Sequence, residues 1–106
     1  MTVVLTTGVW DLLHRGHILL IRRAATLGDY LVVGVQEDDA VTSVPGKHPP
    51  VMTLDERIAA VDALGFADEV IPYRDGTSPD LVEHVQPNIL VHGDDWRTQA
   101  DRSRVV

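Results

Sequence analysis

The chain has 106 residues, no cysteine, 44% hydrophobic residues and a formal charge of −7. It is one small domain with room for a modest core, too apolar for a disordered chain and without the run of about 20 apolar residues that spans a bilayer. The absent cysteines exclude disulfides and thiolate metal sites, and basic residues scattered on an acidic chain argue against nucleic acid as a partner.

The N-terminus carries no basic segment ahead of an apolar stretch, so no signal peptide is expected and a cytoplasmic protein is the default. An acidic chain still receives a small anion where a few cations and helix-start N–H groups make a local positive pocket.

"VVLTTG" (Val3 to Gly8) is a short β-branched run that reads as a buried strand. From Gly16 to Leu27 the apolar residues fit a helix buried along a broad face, with Arg22 and Arg23 on its polar side. Gly28 reads as the left-handed residue that closes this helix. "YLVVGV" (Tyr30 to Val35) is a second continuous apolar strand, and Gln36 to Met52, rich in proline and glycine, reads as a loop. Thr53 with Glu56 forms a capping box for a helix from about Leu54 to Leu64, stopped at Gly65. "DEVIPY" supplies a third strand, and Ser78-Pro79 opens a helix to about Val85, ended before Pro87. "NILVHG" is a fourth strand, with a turn at Gly93-Asp94-Asp95, and Val105-Val106 reads as the start of a fifth.

Strands alternating with helices, each strand continuously apolar, predict a parallel sheet covered on both faces. Ligands of such sheets sit beyond the carboxyl ends of the strands. The first and fourth strands deliver Gly8 to His17 and His92 to Trp96 to that edge.

His14 and His17 frame Gly16 at a helix start, where Ser, Thr, Asp or Asn is the usual cap. One turn apart, the imidazoles converge on one point, and Gly16 lets a ligand approach the backbone. Three readings compete: a structural pair, two ligands of a metal with no third ligand in view, and two donors to a phosphoryl group. Placement after Thr-Thr-Gly at the ligand edge, with the helix dipole behind, favours the phosphate.

The residues from Thr6 to Val35, with "MTLDERIAAV", "ADEVIPY" and "ILVHGDDW" in that order, closely resemble the nucleotidyltransferases with an HxGH signature. The nearest branch is the cytidylyltransferases of the glycerol-3-phosphate and choline-phosphate type. With the strand–helix alternation, the resemblance implies a Rossmann-like three-layer α/β sandwich with sheet order 3-2-1-4, the fifth strand beside the fourth being missing or incomplete in these residues. It also implies a homodimer, and a reaction in which a substrate phosphate attacks the α-phosphorus of CTP and releases diphosphate. Glycerol 3-phosphate is the leading acceptor, and Mg²⁺ enters with the triphosphate.

His14 and His17 would stabilise the transition state, with Arg15 and Gly16 between them at the nucleotide. Gly8, Val9 and Trp10 would line the nucleotide site with backbone groups, and Asp94 or Asp95 would contact ribose or base. Lys47, the only lysine of the chain, stands where the family clamps phosphates. Arg57 is either a residue shaping the nucleotide site or an exposed helix charge.

The family's RTxGISTT-like segment has no counterpart here, so the 106 residues read as one nucleotidyltransferase domain lacking its C-terminal segment. "DGTSPDLVEHVQPNILVHGDD" (Asp75 to Asp95) also resembles ADP-heptose-forming domains. An adenylyltransferase for a sugar phosphate or flavin precursor is therefore the rival within the enzyme class. An inactive nucleotide-binding module is the rival outside it.

Overall fold

A computed structural model of the chain describes residues 1–38, 41, 49–74 and 79–92, with the backbone alone at 79, 80 and 92. Lys47, Ser78, Gly93, Asp94, Asp95, Trp96 and the expected fifth strand at Val105-Val106 lie outside the described residues. The elements run β1 (Val3–Gly8), α1 (Arg15–Ala25), β2 (Tyr30–Gln36), α2 (Leu54–Ala63), β3 (Glu69–Tyr73), α3 (Pro79–Val85) and β4 (Ile89–His92). The four strands form one sheet in the order β3-β2-β1-β4, every neighbouring pair parallel.

Side-chain alternation along the strands sorts the core into two layers. Val4, Leu31, Val33 and Val35 pack with Ile21 and Ala24 of α1 and Val61 of α2 on one face. Leu5, Val32 and Tyr73 pack with Leu81 of α3 on the other. Chain steps outward from β1 through α1 and α2, and back across it through α3, put those helices on opposite faces when the crossovers share one hand. β3 is an edge strand and carries Pro72. Glu37 N–H donates to Tyr73 O at 2.8 Å, which turns the backbone groups of Tyr73 toward β2. Alternation then turns the nitrogen of Pro72 outward, the one place in a sheet where a missing donor does no harm.

The amino ends of the strands share a device. Directly before β2, β3 and β4 stand Asp29, Asp68 and Asn88. Asp29 N–H donates to Thr2 O at 2.7 Å, Asp68 N–H to Leu31 O at 2.8 Å and Asn88 N–H to Val3 O at 2.8 Å. In return their side-chain oxygens accept from Thr2 N at 2.7 Å, Leu31 N at 2.8 Å and Val3 N at 2.8 Å. Each Asx residue thus extends the ladder by one two-point bridge, satisfying an end donor that the next strand does not reach.

Two expectations need correction. α1 ends at Ala25 with Thr26 as its C-cap in right-handed conformation, and Gly65 (φ 79°) is the only glycine with positive φ among the described residues. Gly28 therefore does not close the helix. A Cβ there would stand 2.6 Å from Thr2 O, so the glycine is required by the close approach of the β1 start. The stretch from Gln36 is also not a plain loop at its outset. Gln36 belongs to β2, Asp38 and Val41 have helical backbone, and Val41 N–H donates to Glu37 O at 3.1 Å. Val41 is buried, which gives that turn an anchor in the core.

Candidate active site

β1 and β4 are neighbours, with Thr7 paired to His92, so both bring their carboxyl ends to the same edge. From there the chain crosses Val9 to Leu13 into α1. Two residues of this crossing, Trp10 (φ 55°) and Leu12 (φ 50°), adopt the left-handed conformation that non-glycine residues rarely take. That backbone turns the chain sharply enough to start a helix immediately above the strand.

His14 is the N-cap of α1 and His17 lies in its first turn. Histidine does here what Ser or Asp ordinarily does. His14 Nδ1 accepts from Gly16 N at 2.9 Å, and His17 Nδ1 accepts from His14 N at 3.2 Å, a reciprocal capping box built of two imidazoles. A ring nitrogen that accepts an N–H carries no hydrogen, so both rings hold theirs on Nε2. The ring centroids are 4.0 Å apart with a 35° tilt. The two rings thereby stand side by side at the positive end of a helix whose first turn contains no acidic residue. A helix start of that kind is chemically suited to an anion.

Gly16 serves this geometry directly. A Cβ on it would lie 2.8 Å from His14 Cε1, so the missing side chain is the space into which the His14 ring folds. Arg15 is exposed in the same first turn, adding positive charge at the helix start.

The remaining residues at this edge mostly hold the frame. Val9 turns its carbonyl inward to Arg57, and Trp10 is buried, its Nε1–H donating to Gly34 O at 2.9 Å. Gly8 lies against that indole, where a Cβ would come within 3.0 Å of Trp10 Cε2. Arg57 is not an exposed helix charge, for none of its surface is accessible. Its Nε–H donates to Met52 O at 3.0 Å, and one terminal nitrogen donates to Val9 O at 2.8 Å and Gln36 O at 2.7 Å. The other terminal nitrogen pairs with the Asp38 carboxylate. Leu54, Arg57, Ile58 and Val61 follow the i, i+3, i+4, i+7 spacing of one buried stripe, a sequence signal for the inward placement of Arg57 that went unused.

Sequence reasoning passed over Asp11. Its carboxylate accepts from Val51 N at 2.8 Å and Met52 N at 2.9 Å, tying the β1–α1 crossing to the chain entering α2. An acidic residue in a loop reads as solvated unless its partners are in view, and these lie 40 and 41 positions away. Asp38 and Gly34 were missed because their partners, Arg57 and Trp10, are likewise distant in sequence. Among the described residues, no three His, Cys, Asp or Glu side chains gather into a metal-binding group, and no helix is long and apolar enough to cross a membrane.

A wound parallel sheet with a histidine-capped helix at its carboxyl edge defines a Rossmann-like α/β domain. Residues 5–105 match the family model described as cytidylyltransferase-like, and the chain belongs to that family, as a nucleotidyltransferase domain. It is 39% identical over 94 residues to the bifunctional protein HldE of Pseudomonas savastanoi pv. phaseolicola, a match covering 89% of this chain and 20% of that relative. Against the protein of the same name from Vibrio cholerae it is 40% identical over 97 residues, covering 92% of this chain and 20% of the relative. The chain thus spans about a fifth of the length of these curated relatives. Among solved structures it matches the lipopolysaccharide core biosynthesis protein from Thermoplasma volcanium with a TM-score of 0.78 and 35% identity, over 86% of this chain and 73% of that one.

Proposed function

We propose that the chain transfers a nucleotidyl group from a nucleoside triphosphate to a phosphorylated small molecule, and that the leading pair is ATP with a sugar phosphate. A phosphate oxygen of the acceptor forms the new bond to the α-phosphorus. The bond from that phosphorus to the bridging oxygen breaks, and diphosphate leaves with its electron pair. The acceptor phosphate is already ionised, so the step needs no general base. What it needs is donors where charge builds on the phosphoryl oxygens. The observation that carries the reading is the imidazole capping box, which sets two histidine rings side by side at the helix start on the ligand edge.

Mg²⁺ enters as part of the triphosphate substrate, held by its phosphates. Gly8, Val9, Trp10, Arg15, Gly16 and Arg57 build the nucleotide site around the helix start. Lys47 is proposed as a phosphate clamp, and Asp94 or Asp95 as a ribose or base contact. The working assembly is proposed to be a homodimer.

Two observations move adenylyl transfer ahead of the cytidylyl transfer that the sequence suggests first. Residues 75–95 resemble ADP-heptose-forming domains, and the similar solved structure is that of a lipopolysaccharide core biosynthesis protein. Transfer from CTP to glycerol 3-phosphate stays as the second reading because of "GDDW" (Gly93 to Trp96). The test is diphosphate release from Mg·ATP and Mg·CTP, each offered a panel of sugar phosphates and glycerol 3-phosphate. Release with ATP and a sugar phosphate is expected. Release confined to CTP with glycerol 3-phosphate selects the second reading, and nucleotide binding without release under every pairing leaves only an inactive binding module.

A further inference from the structure

Taking His17 as a group that meets the phosphates, as proposed above, we infer that the buried indole of Trp10 is a positioning residue that sets the plane of the His17 ring. Trp10 is 2% exposed, so its side chain has no direct route to a ligand and acts through what it touches. Its ring is held from three directions. The left-handed backbone at φ 55° folds it back beneath the crossing, Nε1–H donates to Gly34 O at 2.9 Å on β2, and Gly8 leaves the space it lies in.

His17 meets this fixed ring edge-on, with centroids 5.7 Å apart and planes at 71°, an attractive aromatic geometry. The His14 ring is a second neighbour of His17, with centroids 4.0 Å apart. The bond from His14 N to His17 Nδ1 is 3.2 Å, at the long end of the range for an N–H donor. Rotation of the ring about χ2 would exchange Nδ1 for a carbon and carry Nε2–H off the ligand. The indole wall restricts that rotation. Trp10 thereby keeps His17 in the Nε2–H tautomer and aims it.

Trp10→Leu removes the wall, Trp10→Phe keeps a smaller ring but loses the bond to Gly34, and Val61→Ala on α2 serves as a control from the same buried cluster. Two-bond proton–nitrogen correlations of the His17 imidazole in the ligand-free protein report the tautomer. Steady-state diphosphate release reports kcat and KM. Wild type and Val61→Ala should show Nε2–H alone. The Trp10 variants should show mixed tautomers, with kcat about ten- to hundredfold lower and nucleotide KM nearly unchanged. A single Nε2–H tautomer in both Trp10 variants, with kcat no lower than that of Val61→Ala, overturns the assignment. If Trp10→Leu does not fold, the Trp10→Phe spectrum decides. The spectra need no substrate, so a wild-type protein that releases no diphosphate sinks the proposed reaction while the tautomer measurement still judges Trp10.

Discussion

His14 carries two duties that a substitution can separate. As N-cap it satisfies Gly16 N–H through Nδ1, and as a ligand-facing group it offers Nε2–H. His14→Ala removes both, and should lower stability by about 1 kcal/mol for the lost cap and kcat by about 10²–10³ for the lost donor. His14→Asn restores an oxygen that caps the helix and should recover the stability in urea melts without recovering kcat. Recovery of both would mean that the imidazole contributes nothing but the cap. Thr6 poses the opposite case, a polar group whose removal should help. Its hydroxyl is buried within β1 and has no hydrogen-bond partner. Thr6→Val keeps the shape and relieves that unsatisfied group, so a gain of about 1 kcal/mol is expected, read as a raised Tm. An unchanged or lowered Tm would show that the hydroxyl is satisfied in solution.

At the scale of elements, the three Asx bridges fix how each strand enters the sheet. Asp68 holds the part-buried Leu31 N–H, whereas the bridges of Asp29 and Asn88 are exposed. Water replaces an exposed acceptor at little cost, and a buried donor left unpaired costs about 1–3 kcal/mol. Asp68→Ala should therefore destabilise clearly more than Asp29→Ala, and Asp68→Asn, which keeps an accepting oxygen, should stay close to wild type. Equal losses at 29 and 68 in urea unfolding would remove the distinction. The strands themselves were legible because a strand covered on both faces writes itself as an unbroken apolar run, as "YLVVGV" does. Local sequence could not settle Gly28, because Leu-Gly-Asp after an apolar helix fits a left-handed closure as well as a close approach. The deciding neighbour, Thr2 O, belongs to another strand. The capping role of the histidines was illegible, since the usual cap residues act through oxygen and an imidazole caps only where Gly16 leaves it room.

Across the whole molecule, the sheet's two edges are built differently. The amino edge is stitched locally, one Asx bridge at a time. The carboxyl edge is gathered on a single buried guanidinium, which holds the carbonyls of Val9, Gln36 and Met52 and the carboxylate of Asp38, while Asp11 returns the tie to Val51 and Met52. Arg57 thus binds the crossing that carries the histidines to the end of β2 and the start of α2. Lysine has no planar fork and reaches fewer of these acceptors at once. Arg57→Lys should therefore cost about 2–4 kcal/mol, with the loss unevenly spread. Amide hydrogen exchange resolves where it falls. The N–H groups of Val51 and Met52, bonded to Asp11, should exchange much faster than in wild type, while that of Leu31, bonded to Asp68 at the far edge, should change little under native conditions. A loss confined to the carboxyl edge would mean that Arg57 governs the frame of the candidate site while the core folds without it. Equal acceleration at both edges would make Arg57 a global core residue instead, and the local role argued for it would fail.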